Sequence, residues 1–211
     1  MKKPFKLLLL ILFITMQSSA ISAQEKTLWH NAKRQIHYKP DGAGFSLVNG
    51  TRKFNRALYG TNTGFRVEAG DLPEFAMYMP GMGGNFKLGI ISENESKWIT
   101  EANNITTKYT PGRMEYEIKD ELFGEGKLLI QILALAKDEG FVLKLKGEGL
   151  PDNVSLVWAF GGASGKNFSR DGDIGADPES VFYLHQEYCQ YNDYQLEENS
   201  FILNYGWDKK K

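Results

Sequence analysis

Apolar side chains recur at every second position over short runs along most of the chain, and the runs are bounded by Gly, Pro, Asn and Asp. Met114, Tyr116 and Ile118 alternate with Glu115, Glu117 and Lys119, and Phe141, Leu143 and Leu145 alternate with Lys144 and Lys146. Val154, Leu156, Trp158 and Phe160 fall on one face of a strand, with Ser155, Val157 and Ala159 on the other. A period of two with one apolar side predicts strands of antiparallel sheets, each buried on one face. Lys127 to Ala136 is more uniformly apolar, with Gln131 as its polar interruption. Gly124 and Gly126 before it and the Asp138 to Gly140 turn after it make it a central hairpin strand rather than a buried helix.

Further turns are predicted at Asp41 to Gly44, Asn49 with Gly50, Pro111 with Gly112, and Gly149 to Asn153. Their spacing gives an all-β fold, an antiparallel β-sandwich of many short strands. No run of helical period is long enough to predict a helix, and no internal repeat is present. Two Gly-rich segments, Pro80 to Asn85 and Gly161 to Glu179, break the rhythm and read as loops that could carry a binding site.

The N-terminus has its own pattern: Lys2, Lys3 and Lys6 precede an unbroken apolar run from Leu7 to Ile14, followed by small and polar residues. That order predicts a cleavable signal peptide over residues 1–23, cut after Ala23 in preference to Ala20, and a sandwich domain over residues 24–211. The apolar run is shorter than the roughly 20 residues that span a bilayer. A periplasmic or secreted product with no membrane attachment after cleavage is expected. Cys189 is the only cysteine, so no internal disulfide supports the fold. A net charge of -1 gives no basic surface for nucleic acid. The chain stops soon after Phe201 to Tyr205 at Trp207, Asp208 and three lysines, which reads as a domain truncated at its C-terminal end.

Chemical motifs mostly fail on inspection. Gly161 to Lys166 lacks the first Gly and the final Ser or Thr of a phosphate-binding loop, since Phe160 and Asn167 stand there. Ser164 is not in a nucleophile elbow, because Lys166 replaces the last Gly. His185 and Cys189 are too few for a zinc site, so no metal is expected. Calcium is the one ion the Asp-rich loop could take by ligand type, but its spacing does not match a calcium loop and no cofactor is assigned. Asp71 and Glu74, with carboxylates of the later loop, are glycosidase candidates by type alone.

The candidate ligand-binding residues are Trp98, in a polar stretch where its face could serve as a stacking platform, and Arg170, Asp171, Asp173 and Asp177, which offer donors and acceptors to sugar hydroxyls. An oligo- or polysaccharide is the partner such groups suit.

Leu28 to Pro40, Asn49 to Gly84 and Gly161 to Tyr183, with FNRALYGTN and SRDGDIGADPES as their most specific stretches, resemble the N-terminal region of secreted Bacteroidota proteins grouped as domain of unknown function 4450. The resemblance implies a β-sandwich that precedes a six-hairpin, α/α-toroid glycosidase-like part in longer proteins of carbohydrate utilisation. It carries no catalytic residues onto these positions. The expectation is therefore an exported, carbohydrate-associated and non-catalytic module that packs against a missing catalytic domain. The alternatives are a small carboxylate-dependent hydrolase or lyase and a purely structural packing module.

Overall fold

In the computed structural model, residues 37–79, 82–93, 95–164 and 189–206 are described. Strands β1 (Lys39–Asp41), β2 (Gly44–Val48), β8 (Asn104–Thr110), β9 (Arg113–Lys119), β10 (Lys127–Ala134) and β11 (Phe141–Glu148) form one sheet in the order β1-β2-β8-β9-β10-β11. The second sheet runs β12-β6-β5-β4-β3, built from β3 (Arg56–Leu58), β4 (Arg66–Ala69), β5 (Glu74–Met79), β6 (Met82–Ile91) and β12 (Ser155–Ser164). Strand β7 (Ser96–Trp98) joins this sheet beside the end of β6, and β13 (Asp193–Leu196) and β14 (Phe201–Asn204) form a separate hairpin. Every pairing is antiparallel. The only helical pieces among the described residues are single 3-10 turns at Ile99–Glu101 and Glu121–Phe123.

The alternation read from the sequence sets which face is buried. In β9, Met114, Tyr116 and Ile118 face inward, and in β10 Leu128, Ile130 and Ile132 do the same. They meet Val67, Phe75, Leu88 and Ile90 of the second sheet in one core. Phe75 meets Tyr116 edge-on at 5.8 Å between ring centroids. Two layers closed over an apolar interior make a β-sandwich, as expected.

The predicted turns form where proposed. Thr110 pairs with Arg113 across Pro111 and Gly112, and Gly112 has φ +85, a conformation that favours glycine. Leu135 donates to the Gly140 carbonyl at 2.9 Å to close the β10–β11 hairpin.

The Gly-rich segments require a correction. Met82 to Asn85 lies within β6, and Gly161 to Ser164 lies within β12, so neither stretch is loop. The two pair with each other: Gly161 with Asn85, Gly162 with Gly84, Ala163 with Gly83 and Ser164 with Met82. Their glycines are there for close packing. A Cβ on Gly84 would sit 2.8 Å from the Phe160 ring, and one on Gly162 would sit 2.4 Å from the Tyr205 ring.

Candidate functional site

Strand register puts Lys87, Gly89 and Ile91 of β6 on the face of the second sheet that points away from the core, together with Trp98 of β7 and Val157 of β12. Gly89 lies between Trp98 and Val157, and the three border a cavity of about 300 Å³. Its walls are Gly89, Ile91, Ser96, Trp98, Glu101 and Val157, with Ile90 and Lys97. The last two have their side chains elsewhere. Ile90 is buried in the core and the Lys97 ammonium reaches Asp120 at 3.0 Å, so both bring backbone to the cavity.

Trp98 is half-buried, not a fully exposed platform. The Lys87 ammonium lies over its ring, 4.6 Å from the centroid, and Lys87 is not among the cavity walls. The cation therefore covers the side of the indole turned away from the cavity. Among the described residues Lys87 makes no ion pair. Glu101 is fixed beside the cavity by the following turn: its Oε2 accepts from the Trp98 backbone N–H at 3.3 Å. Glu101 and Ser96 complete a wall that joins an aromatic ring to residues able to bind hydroxyls.

Further along the same outer face runs a row of buried polar groups. Arg66 bonds Glu68 through Nε, and its guanidinium lies 3.9 Å from the Tyr78 ring centroid. Burial pushes the Glu68 carboxyl above its ordinary value, and the Arg66 contact only partly opposes this. Glu74, 1 % exposed, sits 2.7 Å from the Lys53 ammonium and accepts from the Asn85 amide at 2.9 Å.

Asp71 is placed differently, in the connection between β4 and β5. Its Oδ1 accepts from the Tyr38 hydroxyl at 2.7 Å and from the Asn55 amide at 3.1 Å, and its Oδ2 accepts from the Arg52 backbone N–H at 3.2 Å. Burial, then the bond to Asp71, raises the Tyr38 phenol well above its ordinary range. Asp71 and Glu74 thus have separate partners, and both are buried. Arg170, Asp171, Asp173 and Asp177 lie outside the described residues. Of the candidate ligand-binding residues, only Trp98 can be placed, and the structure adds Gly89, Ser96 and Glu101 beside it.

Reading the sequence alone missed those neighbours. The alternation of Lys87, Gly89 and Ile91 with Leu88 and Ile90 does mark an outward row. What it cannot give is the register that sets Trp98 and Val157 on either side of Gly89. Among the described residues, no group of three or more His, Cys, Asp or Glu is placed to hold a metal ion. No helix among them is long and apolar enough to cross a membrane.

No curated protein and no solved structure matches the chain. A family model does match, and it begins at Met79, so it takes in the Gly161 to Tyr183 block and leaves most of the earlier blocks outside. It covers residues 79–211, more than half of the chain, and the protein belongs to the family described as Domain of unknown function (DUF4450).

Proposed function

We propose that the chain is an exported, non-catalytic carbohydrate-binding β-sandwich module of a polysaccharide-degrading system. The observation that carries this reading is the cavity beside Trp98, where an aromatic face stands next to the Ser96 hydroxyl and the Glu101 carboxylate. A sugar ring offers the complement, an apolar C–H face with hydroxyls at its rim. A catalytic reading asks for two carboxylates aimed at one bond. Against it, Asp71 is engaged by Tyr38, Asn55 and Arg52, and Glu74 by Lys53 and Asn85. Export is supported by the Lys-rich and then apolar N-terminus. Packing against a catalytic partner is the natural setting for a module of this kind.

The test is binding to arrayed plant and host polysaccharides, with Trp98→Ala alongside. Binding that is lost in Trp98→Ala while melting is unchanged supports the module. Absence of binding to every glycan overturns it. Export is checked in the native host, where N-terminal sequencing should give Gln24 or Ile21 on protein outside the cytoplasm.

A further inference from the structure

Resting on that reading, we infer that the Trp98 cavity takes a single neutral pyranose unit, stacked on one face of the indole, and discriminates against uronic acids. Three features of the site lead there.

The first is size. A cavity of about 300 Å³ lies at the lower limit for small-molecule sites and holds one ring rather than a chain of them. At its floor Val157 and Trp98 close in over Gly89, where a Cβ would stand 3.0 Å from Val157 Cγ2 and 3.5 Å from Trp98 Cε3, so any side chain there would have to push out into the cavity. A larger side chain there would fill the space that a ring would occupy.

The second is that stacking is one-sided. With the Lys87 ammonium 4.6 Å from the indole centroid, the far side of Trp98 is closed to a second sugar.

The third is charge. The charged side chain that lines the cavity is Glu101, since the Lys97 ammonium is held by Asp120 at 3.0 Å. Glu101 keeps Oε2 on the Trp98 N–H, at 3.3 Å, and presents Oε1 as an acceptor. A carboxylate accepts from sugar hydroxyls but repels a second carboxylate, which would gain no compensating cation within the cavity.

The experiment is ligand-observed NMR and calorimetry on the full chain. The probes are the methyl glycosides of glucose, galactose and xylose, the matching glucuronate and galacturonate, and neutral oligosaccharides of increasing length. At least one neutral monosaccharide should bind, with affinity that grows little on chain extension, and the uronates should bind at least ~10-fold more weakly. Gly89→Leu should abolish binding, because its side chain would be pushed into the cavity beside Trp98. Glu101→Gln, on an exposed turn where folding is not at stake, should narrow the gap between neutral and acidic sugars. It keeps the test decisive if Gly89→Leu fails to fold.

Uronates that bind as tightly as neutral sugars would overturn the inference and leave the module reading intact. So would oligosaccharide binding that Gly89→Leu, shown to be folded, or single glycosides do not affect. If no saccharide of any length binds, both fall.

Discussion

The hydroxyl of Tyr116, on the inner face of one sheet, donates to the carbonyl of Gly70, at the end of a strand in the other, at 2.8 Å. The next carbonyl, that of Asp71, accepts from the Thr107 hydroxyl at 2.6 Å. Thr107 and Tyr116 are cross-strand partners, so one pair of hydroxyls ties β8 and β9 to the loop after β4. Both bonds are buried, and their loss would strand carbonyls inside the sandwich. Tyr116→Phe and Thr107→Val are each expected to cost about 1 kcal/mol of unfolding free energy in urea titrations. Because the two bonds hold one loop, the double variant should depart from additivity by ~0.5 kcal/mol or more. Two silent single variants would mean the sheets are joined by apolar packing alone.

Asp71 is a structural carboxylate in this arrangement, 4 % exposed and bonded to Tyr38, Asn55 and Arg52. Asp71→Ala leaves those donors without an acceptor in a place water reaches poorly. We expect a loss of about 3 kcal/mol, a large effect for one substitution. Glu74→Gln should cost less, ~1 kcal/mol, because its Lys53 partner is partly exposed and the Asn85 bond survives. Equal stability of Asp71→Ala and the parent would release Asp71 for a chemical role.

Much of this was legible in the sequence, and what was not has an identifiable cause. Alternation gave the inward faces of β9, β11 and β12 because one side of each strand faces the core, whereas the nearly uniform apolar run of β10 marked a strand without saying which side is inward. The Gly-rich ends of β6 and β12 were misread because glycine signals both a loop and a strand backbone packed tightly against a ring, here those of Phe160 and Tyr205. Trp158 shows the limit of period-two reasoning. It shares the inner face with Leu88, yet it is 54 % exposed because β12 is an edge strand, and strand order is not written in a local pattern. The Trp98 cavity depends on three strands meeting at Gly89, a relationship of register and not of composition.

Stability should depend on pH on both sides of the ordinary glutamate value of 4.5. Burial raises the Glu68 carboxyl, so the folded state holds that proton more tightly than the unfolded chain. Its contribution is complete below 4.5 and is lost as pH rises through the higher folded value. Glu117, beside Lys127, and Glu148, beside Lys146, are lowered, so their contributions are present above 4.5 and fade as pH falls through the lower folded values. Urea midpoints measured between about pH 3 and pH 8 should show a decline on the alkaline side of 4.5 that disappears in Glu68→Gln. A decline that persists unchanged in that variant would place its origin elsewhere.

The β13–β14 hairpin is held to the rest of the fold by few contacts, and it should open first. Its residues are almost all exposed, and a two-stranded hairpin by itself is marginal in water. Contacts with β12 offset this. Phe201 meets the rings of Trp158 at 5.5 Å and Phe160 at 5.8 Å. Asn192 donates from Nδ2 to the Gly162 carbonyl of β12 at 2.6 Å and accepts from the Gly206 N–H at 3.0 Å, tying both ends of the hairpin to the sheet edge. Removing the Phe201 ring deletes the hairpin's main apolar contact but opens no space in the core, since Trp158 already faces solvent in part. Phe201→Ala should therefore speed amide exchange across 193–204 by ~10-fold or more, with sandwich amides such as those of Tyr116 and Ile130 unchanged. Asn192→Ala should do the same at the hairpin base, and limited proteolysis should cut the hairpin before any other described strand. Loss of more than about 2 kcal/mol from global unfolding in Phe201→Ala would show instead that hairpin and sandwich unfold as one unit.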